Sequence, residues 1–264
     1  MKYPSQIRIA LFSGILFLLT GVQASAQTDA MFTKYMFNSL VFNPAYAGSK
    51  EHMSIGLLHR SQWFGVNGSP HTQTFTLHTP FKKHDRLAIG GSLINETVGT
   101  TKSTTANLSY AYRIRMGQGN KLKTLSVGLQ GGMTNWRADL RNLEIYDGVD
   151  EAFGEQAPSY WLPNFGFGLH FYAKNYFVGV SIPNLLEYDL RQKNINTERY
   201  ARTFRHYYFM AGGAIPFGND LVFRPIVLVK SAGLFSQFKG EDNPYGNYGS
   251  PSELDVDLSI LLRK

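Results

Sequence analysis

Three histidines of the predicted first hairpin, His59, His71 and His78, are the side chains best suited to act as a general base. Serines and threonines surround them, so one hypothesis is a Ser–His hydrolase that acts on lipid. However, the sequence contains no G-x-S-x-G elbow, no H-E-x-x-H motif and no cysteine. His71 and His78 are seven residues apart and cannot share one face of a strand. We therefore predict no catalytic, cofactor-binding or metal-binding residue, and expect a protein that is not an enzyme.

Two stretches of opposite charge, 135–161 and 186–203, are predicted to be long loops. The first is acidic and the second is basic overall. Clustered carboxylates suit a hard cation such as calcium, but their spacing here matches no calcium-binding loop closely. The two loops could also pair over one mouth of a barrel, or both could simply be solvated. The basic residues are dispersed over predicted strand ends, and we therefore expect no nucleic-acid partner.

The first 26 residues have the composition of a secretory signal peptide. Lys2 and Arg8 are followed by a short apolar run, and Ala24-Ser25-Ala26 is a small-residue cleavage site. A transmembrane anchor is the alternative, but the apolar run is shorter than the roughly 18–20 residues that a helical span needs. We predict a signal peptide at 1–26, an N-terminal segment at 27–51 and one domain at 52–264.

Apolar and polar residues alternate along most of the remaining chain, which is typical of half-buried strands. The clearest segments are 106–115, 125–134, 165–172 and 254–262, and weaker ones are 53–63, 71–79, 86–95, 175–182, 204–215 and 220–229. Turn residues separate them at spacings that favour antiparallel hairpins. The sequence thus predicts an all-β protein with about ten strands. A single helix is predicted at 29–38.

Two all-β architectures are compatible with this alternation. A soluble sandwich would bury the apolar face in a core, whereas a membrane β-barrel would turn that face toward lipid. The apolar face carries many large aromatic residues, while the opposite face is small, polar or charged, and short turns alternate with long loops. Together with the signal peptide, these features favour an antiparallel transmembrane β-barrel.

Two sequence boxes near the start resemble those of the PorP/SprF family of outer-membrane proteins of type IX secretion and gliding motility. The first is "NPAYAG", and the second runs from "RSQWFG" through "NGSPHTQ" to "LHTP". Later stretches, including "NFGFGLHFY" and "SPSELDVDLSILL", are also similar. The matching positions that we take as candidate packing or partner-contact residues are Asn43, Pro44, Ala45, Tyr46, Ala47, Gly48, Arg60, Gln62, Trp63, Pro70, Gln73 and His78.

The resemblance implies a role without a reaction. Such a protein would lie in the outer membrane of a Gram-negative bacterium of the Bacteroidota type. Its partners would be the secretion and gliding machinery or a secreted adhesin, together with outer-membrane lipid. From the residues alone, the first box either packs the N-terminus against the barrel or contacts a partner. A passive channel or a carrier of apolar ligands is the alternative function.

The C-terminal sequence departs from the family pattern. Outer-membrane barrels usually close with a strand that ends on an aromatic residue, but this sequence ends "DLSILLRK" at Lys264. The resemblance implies that family members are longer, with about four further strands after this point. Either the tenth strand closes on the first or the chain is truncated at its C-terminus, and we expect truncation. Arg60 and Trp63 are an odd number of residues apart and are predicted to face opposite sides of a strand.

Overall fold

The computed structural model describes residues 35–81, 86–119, 122–138, 159–189, 202–218, 220–235 and 253–262. The predicted signal peptide and most of the two predicted long loops lie outside these residues. The described chain begins with a 3₁₀ turn at Tyr35–Phe37, helix α1 at Ser39–Phe42 and a second 3₁₀ turn at Pro44–Tyr46. Of the helix predicted at 29–38, only 35–38 lies among the described residues, and there the chain forms a 3₁₀ turn at Tyr35–Phe37 in place of an α-helix.

Thirteen strands follow among the described residues. They are β1 (Ser54–Ser61), β2 (His71–Pro80), β3 (Leu87–Val98), β4 (Thr101–Met116), β5 (Lys123–Ala138), β6 (Ser159–Ala173), β7 (Tyr176–Ile182), β8 (Tyr188–Asp189), β9 (Arg202–Thr203), β10 (His206–Gly213), β11 (Ile215–Phe217), β12 (Leu221–Ala232) and β13 (Glu253–Leu262). All ten predicted strands are present, so the all-β prediction is confirmed. The predicted strand 204–215 is divided at Ala214 into β10 and β11, and both parts pair with β12.

Eleven of these strands form one antiparallel sheet in which neighbours in sequence are neighbours in space. Strand β10 follows β7 in the order, and β12 pairs with β10, β11 and β13. Strands β8 and β9 form a separate two-stranded sheet. The sheet is not closed within the described residues, because β1 and β13 are not paired with each other.

The two faces of the sheet are the reverse of those in a water-soluble sandwich. Apolar side chains on the predicted apolar face are exposed, including Leu57, Leu108, Leu129, Phe165 and Leu258. The opposite face lines the concave side and buries polar residues, including Thr72, Thr74, Arg113, Ser126, His170 and Ser181. An exposed apolar surface of this extent marks an interface with lipid or protein. This arrangement favours the membrane barrel over the sandwich.

The exposed apolar residues form a continuous band across the sheet. On β4 the band runs from Ala106 to Ile114, and the strand pairing places Leu93, Met133, Val127 and Phe171 in the same rows. Eight residue steps correspond to about 27 Å along a strand, or about 21 Å along the membrane normal at a tilt of ~40°. This height is close to the roughly 25 Å apolar band of outer-membrane barrels.

The two ends of the sheet differ in the length of their connections. At one end, called here the long-loop rim, the strands are joined by 62–70, 139–158, 183–205 and 233–252, and by the tight turn 99–100. At the other end, the short-turn rim, the connections are 81–86, 117–122, 174–175 and 218–220. This inequality agrees with the loop pattern expected from the sequence. No helix of the described residues is long and apolar enough to cross a membrane.

Candidate functional site

The main candidate site is a plug, defined here as residues 35–51, which lies against the concave face of the sheet. Its central turn is built by local sequence. Asn43 adopts an extended backbone before Pro44, as residues before proline prefer. The Asn43 side-chain oxygen accepts a hydrogen bond of 2.9 Å from the Ala45 N–H, and Pro44 occupies the first position of the 3₁₀ turn.

Hydrogen bonds join the plug to the sheet at several points. The Asn43 side-chain amide donates to the Leu169 carbonyl at 2.9 Å, and Ser181 Oγ donates to the Phe42 carbonyl at 2.7 Å. The Tyr35 hydroxyl donates to the Ile226 carbonyl at 3.1 Å. These bonds reach β6, β7 and β12, so the plug spans the concave space instead of following one strand. Buried polar groups without partners are costly, and these bonds therefore fix where the plug docks.

Close backbone approach allows the plug to lie flat on the sheet. A Cβ atom at Gly128 would collide with the backbone of Ala45 and Pro44, and one at Gly168 would collide with the Asn43 side chain. Both glycines lie at concave-face positions of β5 and β6. Glycine is required here because the absent side chain is the space that the plug occupies. Ala45 and Pro44 are fully buried as a result.

The aromatic ring of Tyr46 lies between two histidines. Its ring centroid is 5.5 Å from that of His78 and 5.5 Å from that of His170, with edge-to-face geometry in both cases. Burial raises the pKa of the Tyr46 hydroxyl above its ordinary value, because the charged form would lose hydration. The Gly48 N–H donates to Nδ1 of His78 at 3.2 Å, which places the proton of a neutral His78 on Nε2.

The C-terminal end of the plug is attached to β4 by charge. Arg113 is fully buried, and its guanidinium lies 3.5 Å from a carboxylate oxygen of Glu51 and donates to the Tyr172 hydroxyl at 3.1 Å. Arg115 lies 3.4 Å from the same Glu51 oxygen. The Glu51 side chain is 56% exposed, so water screens the pairing and its contribution to docking is about 1 kcal/mol or less.

Apolar contacts also pack the plug against the sheet. One cluster joins the plug to β10 and β12, and a second joins it to β3 and β4. The first contains Tyr35, Phe42, Tyr208, Met210, Ile226 and Leu228, and the second contains Leu40, Ala47, Ala88 and Ala111. The plug thus covers part of the polar concave face with its own apolar and hydrogen-bonded surface.

The structure brings only part of the predicted candidate residues together. Asn43, Pro44, Ala45, Tyr46, Ala47, Gly48 and His78 meet in the plug site. Arg60, Gln62, Trp63, Pro70 and Gln73 belong to the β1–β2 hairpin at the long-loop rim. There, Arg60 faces the concave side, while Gln73 is exposed on the outer face.

Trp63 departs from its predicted position on a strand. It lies in the loop after β1, with a backbone φ of 51°, in the left-handed region that few residues adopt. Hydrogen bonds from Gln62 N to Pro70 O and from Gly99 N to Gly68 O fix this loop. Trp63, Phe64 and Val66 are 68%, 94% and 58% exposed, respectively. The loop therefore displays three apolar side chains from a fixed backbone.

A serine–histidine cluster exists, but it lies outside the concave space. Ser61 Oγ is 2.8 Å from Nδ1 of His71 and 3.2 Å from Nε2 of His59, on the exposed outer face. These side chains lie at the surface of the outer face and not in an enclosed site, so they lack the desolvated setting in which a hydrolase stabilises developing charge. The described residues also contain no group of three His, Cys, Asp or Glu side chains that could hold a metal ion.

Sequence reasoning missed the residues of the sheet that receive the plug. Arg113, Gly128, Gly168, His170 and Ser181 all lie at concave-face positions of their strands. The available signal was the presence of glycine and of a mid-strand arginine on the polar face of alternating segments. That signal marks the face but does not reveal which other segment of the chain covers it.

The comparison with protein families agrees with the geometry. A family model described as type IX secretion system membrane protein PorP/SprF matches residues 24–248. This match covers most of the chain, including the plug and strands β1–β12. The chain belongs to the PorP/SprF family. A search of curated proteins and a search of solved structures each found no match.

Membership identifies this chain as a membrane component of the type IX secretion system. The all-β fold, with its exposed apolar band, is consistent with a PorP/SprF protein that crosses the membrane through its strands. The resemblance seen in the two sequence boxes is therefore confirmed at the level of the family.

Proposed function

We propose that this PorP/SprF protein is a non-enzymatic outer-membrane component of type IX secretion and gliding motility. It would be exported by the signal peptide at 1–26 and would reside in the outer membrane of a Bacteroidota-type bacterium. It would support secretion or surface attachment of partner proteins through protein–protein contacts. The observation that carries this proposal is the plug, which packs residues of the family's own first box against the concave face.

The plug also argues against the alternative function of a passive channel. A water-filled pore needs polar side chains that face open solvent. Here the concave-face residues Ser109, Arg113 and Ser126 are buried, and Asn43 to Ala47 lie over the neighbouring strands. We infer that the first box is a packing element and that partner contact falls to other surfaces.

The loop Trp63–Val66 is the partner-contact surface that we propose. Tryptophan and phenylalanine are enriched in protein interfaces, and tryptophan is also enriched among the residues that dominate binding. In outer-membrane barrels the longer loops face the cell exterior. Since this loop lies at the long-loop rim, its position favours a secreted partner such as an adhesin over a periplasmic one.

The test is affinity purification of the tagged protein from its native envelope in mild detergent, with mass spectrometry of the co-purifying proteins. We expect type IX components or one large secreted adhesin, and we expect Phe64→Ala to reduce the recovery of that partner. Phe217→Ala is the matched control, because Phe217 is 75% exposed at the short-turn rim. A protein without partners that conducts ions with a reproducible unit size would contradict the proposal and support the channel.

A further inference from the structure

A row of basic side chains crosses the outer face of the sheet at the long-loop rim. The strand pairing aligns His71 on β2 with Thr97 on β3, Thr97 with Lys102 on β4, and Lys102 with Arg137 on β5. His71, Lys102 and Arg137 are all exposed. We name these three residues the basic row. They are far apart in sequence and become neighbours only through the register of four strands.

The basic row has a fixed relation to the apolar band. The next row toward the band holds Gln73, Asn95, Thr104 and Asn135, and the row after that holds Phe75, Leu93, Ala106 and Met133. The surface thus changes from apolar to polar to basic within two rows. Neighbouring residues on one face of a strand are about 7 Å apart. The basic row therefore lies where the apolar part of a membrane gives way to its charged headgroups.

Lys102 and Arg137 form a like-charged pair. They lie directly opposite each other on adjacent strands, where like charges are destabilising unless an anion offsets them. The Arg137 Nε atom donates to the Asn135 side-chain oxygen at 2.7 Å, and the Asn135 amide is 3.4 Å from Ser159 Oγ. This bond holds the guanidinium on the band side and leaves its terminal nitrogens to bind another group. Guanidinium and ammonium groups together suit a phosphate.

His71 is also held in place by its neighbours. Ser61 Oγ is 2.8 Å from its Nδ1 atom, and Ser69 Oγ is 3.3 Å from its Nε2 atom. Along the two outer rows of β2–β5, the described residues include no acidic side chain: those rows hold His71, Gln73, Asn95, Thr97, Lys102, Thr104, Asn135 and Arg137. The described outer surface here is therefore positive or neutral.

We propose that the basic row binds the phosphate group of a lipid headgroup in the membrane leaflet on the long-loop side. Lys102 and Arg137 would contact the phosphate oxygens, and His71, whose two ring nitrogens already contact Ser61 and Ser69, would lie at the edge of the site. The acyl chains of the same lipid would lie on the apolar band below, over Leu93 and Met133. The basic row complements a phosphate in charge and lies directly beside the apolar band. This combination favours a lipid, because a soluble anion would gain no binding energy from contact with the band.

The test uses the full chain in detergent micelles, with lipid binding measured by native mass spectrometry. The probe is a bisphosphorylated lipid A, with phosphatidylcholine as a lipid of no net charge and inorganic phosphate as the soluble anion. We expect the double variant Lys102→Gln, Arg137→Gln to lose at least tenfold in apparent affinity for the phosphorylated lipid. Lys102→Arg should retain it. Binding to the native chain should weaken as salt is added.

Lys123→Gln is the matched control. Lys123 is exposed at the opposite rim, and its row contains Met116 and Ala173 in place of further basic residues. We expect no change in lipid affinity for this variant. Since all three substituted side chains are exposed, the variants should keep the heat-modifiable mobility of the folded protein on gels.

Three results would overturn the proposal. The double variant could bind the phosphorylated lipid as tightly as the native chain, or Lys123→Gln could lose as much affinity. Inorganic phosphate could also displace the lipid at a concentration similar to that of the lipid itself, which would indicate a site for free anions. The recovery of partner proteins in the affinity purification is measured separately from lipid affinity. The proposal on lipid binding and the proposal on partner binding can therefore fail independently of each other.

Discussion

Replacing Asn43 by alanine is the most direct test of plug docking. The Asn43 side chain makes two of the hydrogen bonds that shape the plug and hold it on the sheet. Asn43 is 2% exposed, donates to the Leu169 carbonyl and accepts from the Ala45 N–H, both at 2.9 Å. The variant leaves both backbone groups buried and without these partners. Each such loss costs about 1–3 kcal/mol, and partial relaxation brings the expected total to about 2–4 kcal/mol. That corresponds to a roughly 30- to 1,000-fold rise in the undocked population.

The assay exploits the absence of cysteine from the chain. Ser126 is fully buried on the concave face, so Ser126→Cys supplies a single reporter thiol. Its rate of reaction with a water-soluble maleimide follows the undocked population when docking is fast compared with labelling. We expect Asn43→Ala to accelerate labelling by the factor derived above. Asn95→Ala is the matched control, since Asn95 is exposed on the outer face and accepts one hydrogen bond from Thr104.

An unchanged labelling rate in Asn43→Ala would refute the reasoning. So would an equal acceleration in Asn95→Ala, because that variant removes an asparagine hydrogen bond without touching the plug. Either result would mean that the buried hydrogen bonds of Asn43 do not hold the plug on the sheet.

Three further predictions follow from the same geometry. Gly168→Val should destabilise the folded protein by about 1–3 kcal/mol, seen as a lower heat-modification temperature on gels, whereas Gly131→Val, on the outer face with room for a side chain, should change it little. Leu108→Arg should cost about 2–4 kcal/mol in urea unfolding from lipid vesicles, against about 0–1 kcal/mol for Thr104→Arg in the polar row. Because burial raises the pKa of Tyr46, docking should be stable below about pH 10 and weaken as the pH rises through the raised pKa. Ultraviolet titration of the native chain against Tyr46→Phe would show this late ionisation, and ionisation in step with exposed tyrosines would contradict it.

The strands were predictable because period-two alternation is a local property of the sequence. In β4 and β6, residues such as Leu108 and Phe167 were assigned to the correct face, and the structure confirms the exposure of that face. Strand ends were less predictable. The polar run 101–105 carries no alternation in hydrophobicity, yet it extends β4 by pairing with 134–138 of β5.

The plug was not predictable from residue types, because its contacts are long-range. "NPAYAG" indicates a turn with small residues, and the sequence left open whether that turn packs or binds a partner. Gly128 and Gly168, on which it packs, are far from Asn43 in the sequence, with four and five strands between them, although they are in contact in the fold. The basic row was invisible for the same reason, since Lys102 and Arg137 become neighbours only when the register of β4 and β5 is known.

Hydrogen–deuterium exchange on the membrane-embedded protein tests the central claim, that the first box is a plug docked within the sheet. The N–H groups of Asn43, Ala45, Ala47 and Gly48 all donate hydrogen bonds, and the segment is buried. We predict that peptides covering 39–48 exchange as slowly as those of β5, while the exposed loop 63–68 exchanges quickly. Exchange of 39–48 as fast as that of the loop would show that the segment is not docked, and would contradict the account.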